Sequence, residues 1–212
     1  MFLSALAAYS QGGARSPQAG ANVGSAIDVQ RSTITVHVER AGFFSFAGDN
    51  HEIRAPLLSG SLVESPVESK DESKREVELV VDAARMSVLD PGASPDTRAK
   101  VQAKMLSPDV LDVARFPRIE FRSRSVTLLK GAPPLNGARL KNSGDAQLRI
   151  AGDLTLHGQT HPVEFEATGA NGHYRGSAKL KQSDFGIKPI TLAGGAVKVK
   201  DEVKIDFEIF TQ

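Results

Sequence analysis

The sequence predicts an all-β protein: one antiparallel sheet that closes on itself, interrupted by a short helical insertion around residues 95–113. Three observations carry this. From Ile27 onward apolar residues recur at every second position, the period of a strand with one dry and one wet face. Short Gly-, Pro-, Asn- and Asp-bearing segments separate these runs. A sheet with a single apolar face must bury it, and rolling into a barrel does so without a second layer.

The elements follow in order. Met1 to Ala8 is apolar and ends in small residues, like the tail of a secretory signal with an Ala-x-Ala cleavage site, although no basic segment precedes it. Residues 11–25 are rich in Gly, Ala, Ser and Gln and read as a linker. Residues 1–25 are therefore expected to be a flexible leader, either a signal-peptide remnant with its linker or a disordered extension, and residues 26–212 one domain. Ile34, Val36 and Val38 share the first dry face, opposite Thr33, Thr35, His37 and Glu39. Glu64 to Glu78 is densely charged and reads as a solvated hairpin loop with its flanks. Val77, Leu79 and Val81 then face away from Glu76, Glu78 and Asp82.

Ser94-Pro95-Asp96 is a helix start, a capping serine followed by proline at the first helical position. Val101 and Met105 recur at helical spacing, Ser107-Pro108-Asp109 restarts a second turn through Val113, and Phe116-Pro117 ends the arm. Strand periodicity resumes with Ile119 and Phe121. It continues through Leu148, Ile150, Leu154 and Leu156, and then through Val163, Phe165 and Ala167. Asn171-Gly172 is a strong signal for a type I′ hairpin. The closing run places Val197, Val199, Val203, Ile205, Phe207 and Ile209 opposite Lys198, Lys200, Glu202, Lys204, Asp206 and Glu208. No internal repeat or second compositional regime divides the chain.

Composition narrows the function. The 26 basic and 25 acidic residues nearly cancel, to a net charge of +1, which gives no global attraction to nucleic acid. There is no cysteine, so disulfides and thiolate metal sites are excluded. No stretch approaches the roughly 20 apolar residues of a membrane-spanning helix. The sequence has no nucleophile elbow, phosphate-binding loop or dinucleotide fingerprint. His157 and His161 stand four apart, but in a strand-and-turn context, with Gly158-Gln159-Thr160 read as the turn. That argues against a helical metal pair. No metal, cofactor or catalytic residue is expected.

Four blocks make the chain similar to a known family. Ser32 to Val38 leads into Gly42-Phe43-Phe44-Ser45-Phe46 and Asp49-Asn50-His51-Glu52-Ile53, where a family pattern G-H-x-H-E keeps only the second histidine. Leu111-Asp112-Val113-Ala114-Arg115-Phe116-Pro117-Arg118-Ile119-Glu120-Phe121 resembles L-D-V-x-x-Y-P-x-I-x-F. Gly152 to Val163 resembles G-x-L-T-L-H-G-x-T-x-P-V, and Asp184-Phe185-Gly186-Ile187 precedes the last strand. In order and spacing these blocks resemble the YceI-like family. The resemblance implies a lipocalin-like barrel of about eight strands that binds an isoprenoid-tailed lipid, of polyprenyl phosphate or isoprenoid quinone type, without catalysis.

Under that resemblance the apolar wall or mouth of the site is expected to hold Phe43, Phe44, Phe46, Phe121, Phe165, Phe185 and Ile187, with Phe185 a candidate lid. His51, Arg54, Arg115 and Lys188 are candidates for a polar head group, since phosphate or quinone oxygens seek cationic or N–H donors. Burial of a methylene is worth about 0.8 kcal/mol. A long isoprenoid would thus exceed the observed affinity ceiling of about 20 kcal/mol if water were its alternative. Its alternative is a bilayer, so a carrier needs only moderate affinity. The expected setting is periplasmic or secreted, with the cytoplasm as the alternative, and a homodimer through apolar residues at the mouth is a further expectation. Two other readings stay open. One is a small hydrolase or isomerase acting on an amphiphile through His51 or His157; the other is a stress-protective module whose barrel is filled by its own side chains.

Overall fold

Alternating side chains fold here into one antiparallel sheet. The computed structural model describes residues 24–41, 50–63, 75–129, 146–192 and 197–212. Its strands are β1 (Ser25–Ala26), β2 (Thr33–Ala41), β3 (His51–Arg54), β4 (Leu57–Val63), β5 (Glu76–Asp82), β6 (Ser87–Val88), β7 (Arg118–Leu128), β8 (Ala146–Leu156), β9 (Gln159–Ala170), β10 (His173–Lys181), β11 (Thr191–Leu192) and β12 (Val197–Phe210), with helix α1 at Pro95–Leu106. The strand order is β1-β4-β5-β7-β8-β9-β10-β12-β2-β3-β6, with β11 beside β12.

That path closes because two of the strands are bent. β3 and β4 are halves of one strand with its corner at Ala55-Pro56; β3 pairs with β2 and β4 with β5. The corner stays hydrogen-bonded on both sides, Ala55 N–H donating to the Ile34 carbonyl at 2.9 Å and Asp82 N–H to the Pro56 carbonyl at 3.0 Å. Proline fits there because it has no N–H to leave unpaired. β5 and β6 are likewise halves joined by a single 3-10 turn at Ala83–Arg85, and β6 continues along β3. Counting each bent pair once and leaving aside the two-residue strands β1 and β11, the wall is an eight-stranded barrel among the described residues.

Bulges keep the apolar set inside. Ser59 is opposite Val80 where Leu57 is opposite Val81, and Ser125 is opposite Ala151 where Ser123 is opposite Gly152. Each inserts one residue and flips the phase, so Leu57 and Leu62, or Phe121 and Val126, face inward across a break in strict alternation. On β12, four steps from Val199 to Val203 span two on β2, from Arg40 to Val38. Val199 and Val203 therefore stay on one face while Asp201 is thrown out of the ladder. There its carboxylate accepts from the N–H of Ser183 at 2.8 Å and from its hydroxyl at 2.6 Å, anchoring the 3-10 turn Gln182–Phe185.

Asn171-Gly172 forms the predicted two-residue hairpin, with φ of 53° and 76°. His157-Gly158 forms a second one, with φ of 51° and 72°. The expected Gly-Gln-Thr turn is thus corrected: Gln159 and Thr160 already belong to β9, opposite Leu156 and Thr155. A side chain at Gly158 would strike the Phe116 ring at 2.4 Å, so that position combines a left-handed backbone with a close aromatic neighbour.

The helical insertion is also shorter than the sequence suggests. Ser94 caps α1, its hydroxyl accepting from Thr97 N–H at 3.2 Å, and the helix ends at Leu106. Residues 107–115 then wrap back as turns, with Leu111 N–H donating to the Met105 carbonyl and Asp112 at φ 45°. Gln102 ties α1 to β6 by two hydrogen bonds, accepting from Val88 N–H at 2.8 Å and donating to the Met86 carbonyl at 2.7 Å. At the opposite end of the barrel, β1 pairs with β4 while Ile27 bridges Thr211 just past β12, and Ile27 is buried across that end.

Candidate binding site: an apolar cavity inside the barrel

The barrel is not filled by its own side chains. It encloses a cavity of about 530 Å³, within the range of small-molecule sites. The wall is built by inward positions of successive strands: Ile34, Val36 and Val38 of β2, Val77, Leu79 and Val81 of β5, Val163 and Phe165 of β9, and Val203, Ile205 and Phe207 of β12. These are the dry faces read from the alternation. Val101 and Met105 of α1, with Val110 and Leu111 from the turns that follow, roof the same space. Their i, i+4 spacing was legible as a helix, but nothing local told which cavity the helix would cover.

The structure separates the expected site residues. Phe121, Phe165 and Ile187 line the cavity. Phe185 does not; its ring is 1% exposed and packs edge-on against His161 with centroids 5.2 Å apart. The Phe185 carbonyl accepts from His157 Nδ1 at 3.1 Å. This corrects the lid expectation: a phenylalanine sealed between the 3-10 turn and β9 is a fixed plug. Phe43, Phe44 and Phe46 lie outside the described residues.

Of the polar candidates, His51 and Lys188 reach the cavity and the other two do not. Arg54 follows the inward Ile53 on β3 and so points outward into solvent. The Arg115 side chain is 75% exposed, bonds Asp112 at 3.3 Å and lies over the Phe116 ring. His51 stands in line with Val38 of β2 and, through it, Val203 of β12. Its Nδ1 is 2.6 Å from the Asp90 carboxylate, whose other oxygen accepts from Glu52 N–H at 2.8 Å. Asp90 is buried, and sequence reasoning missed it because a lone Asp before a proline reads as a turn residue. Lys188 is exposed at the rim and has no ion pair among the described residues. The Nζ of Lys100 and Lys104, also at the rim, pair with Asp96 and Asp109.

Chemically, this arrangement offers a dry space whose few polar lining residues are His51, Lys100, Lys104, Lys179, Gln182 and Lys188. Among the described residues no cluster of three or more His, Asp or Glu side chains is placed to hold a metal ion, and His157 is engaged in shaping its hairpin. No helix among them is long and apolar enough to cross a membrane.

Comparison with known proteins agrees with this geometry. The family model described as the YceI-like domain matches residues 26–210. A curated relative from Pseudomonas putida, a UPF0312 protein, is 35% identical over 92 residues, 39% of this chain. That match spans only 41% of the relative's own length. The fold is shared with BcnA of Burkholderia cenocepacia, at a TM-score of 0.59 and 18% identity, covering 86% of this chain and 98% of that one. It is also shared with a polyisoprenoid binding domain from Saccharophagus degradans, at 0.54 and 13%, covering 88% and 97%.

Proposed function

The chain belongs to the YceI-like domain family, and from that premise we propose that it binds an isoprenoid-tailed lipid, tail inside the barrel and head group at the α1 rim, and carries or sequesters it without chemical change. The observation that supports this most is the cavity of about 530 Å³ walled by aliphatic and aromatic side chains. Apolar burial is non-directional and scales with area, so such a wall favours a flexible hydrocarbon over a polar substrate. The fold shared with a polyisoprenoid binding domain supports the tail class.

At the rim, Lys188 is an exposed cation without an ion-pair partner among the described residues, and His51 is held in place by Asp90. These two suit the oxygens of a phosphate or quinone head. The reading is one of binding alone. Among the described residues, His51 and His157 have the Asp90 carboxylate and the Phe185 carbonyl as hydrogen-bond partners, which orient the two rings. A periplasmic site of action, where a carrier would move lipid between two membranes, is part of the proposal.

Organic extraction of the purified full chain, followed by mass spectrometry, tests it. The expected result is an isoprenoid lipid at near-stoichiometric amount, or its uptake from vesicles doped with polyprenyl phosphate. A protein that emerges empty and takes up neither polyprenyl phosphate nor an isoprenoid quinone would overturn the reading.

A further inference from the structure

The cavity stops partway down the barrel. Its inner end is formed by three phenylalanines. Phe165 of β9 stands between Phe121 of β7 and Phe207 of β12, with ring centroids 5.4 Å apart on each side, in tilted and edge-on geometry. The strands between them, β8 and β10, carry glycine where the rings lie. A Cβ at Gly152 would sit 2.7 Å from the Phe121 ring, and one at Gly176 would sit 2.6 Å from the Phe207 ring. Two glycines thus let three rings spread over five neighbouring strands.

Beyond the rings is a separate void of about 50 Å³, bordered by Val126, Leu148, Ala167, Tyr174 and Ile209. None of these five lines the large cavity, while Val77, Leu79 and Ile150 touch both spaces. The row of His51, Val38 and Val203 marks the rim side. Phe207 is four residues further along β12, about 13 Å along the strand.

We propose that Phe121, Phe165 and Phe207 form a length stop that sets the longest apolar chain the barrel accepts. The inference rests on the reading that the cavity holds a lipid tail, and it goes further by assigning chain-length selection to three named rings. Up to the stop, each methylene that enters leaves water and raises affinity about fourfold. Past it, added methylenes stay at the mouth and the gain ceases. The rings are packed against each other and against strand backbone, so a longer tail cannot push through without breaking those contacts.

The test is calorimetric titration of the full chain with linear primary alcohols from octanol to eicosanol. The expected result is affinity rising about fourfold per methylene to a break, then level. Phe207→Ala removes one ring of the stop and moves the break to longer alcohols. Ala178→Phe fills a cavity-lining position opposite Ile205, nearer the rim than Phe207, and moves the break to shorter ones. Should Phe207→Ala fail to fold, Phe165→Leu and Ala178→Phe decide the matter. Affinity that climbs through eicosanol with no break, or a break unmoved in the folded variants, overturns the length stop alone. Failure of the unaltered protein to bind any alcohol overturns the lipid-tail reading on which it stands.

Discussion

The carboxylate of Asp90 joins two parts of the cavity rim: it meets His51 Nδ1 at 2.6 Å on one oxygen and Glu52 N–H at 2.8 Å on the other. Asp90 is 5% exposed and follows β6, so one buried anion ties the start of β3 to the segment that leads into α1. Asp90→Ala leaves Glu52 N–H without its acceptor and frees the His51 ring. The expected loss is about 2 kcal/mol of stability, read as a lower urea midpoint at unchanged slope, with binding of a long-chain alcohol retained in the folded fraction.

Lys188→Glu reverses charge at the rim without touching the wall. Binding of a long-chain fatty acid is expected to weaken about fivefold, the worth of an exposed ion pair, while the alcohol of equal length binds as before. Equal losses for both probes in a calorimetric titration would remove Lys188 from the head-group site.

Gly152→Ala is expected to cost about 1–3 kcal/mol, the range for overpacking a filled interior, because the new methyl meets the Arg122 carbonyl at 2.4 Å and the Phe121 ring at 2.7 Å. Thermal melting checks the stability change. The cavity should also lose definition at its inner end, seen as a less sharp dependence of binding on chain length.

Asp201 is held below the usual carboxylate range, first by the hydrogen bond from the Ser183 hydroxyl; burial opposes this, and the Ser183 backbone N–H adds to the lowering. A carboxyl whose pKa is lowered on folding stabilises the fold above its unfolded value, about 3.9, and this contribution is lost as pH falls through the lower folded value. Melting temperature measured from neutral to strongly acidic pH should therefore fall less steeply in Ser183→Ala than in the unaltered chain, with the two curves converging at the acid end.

The strand phases were readable because a wet face and a dry face differ at every step. Val36, Val81, Val163 and Ile205 all point where the alternation puts them. Position within the barrel was not readable. Phe121, Phe165 and Phe207 are ordinary inward residues in sequence; the ladder puts Phe121 in line with His161 and Phe207 in line with Ala167, yet across this stagger their rings meet Phe165 at 5.4 Å on each side. Charged residues at a strand end and in a turn misled for a related reason. Arg54 and Arg115 carry suitable chemistry but emerge on the outer surface, whereas Asp90 matters because a distant strand start folds onto it. The bulge at Asp201 was visible as a charge on a dry-face position, the one break in the alternation of β12.

The bend at Ala55-Pro56 has a consequence for life in a crowded solution. By letting one strand serve neighbours on two sides, it joins the two ends of the sheet, β3 pairing with β2 and β4 with β5. Among the described residues, a single proline-marked corner thus removes the edge that strand addition by a second copy, the usual hazard of a β-rich protein, would start from at that place.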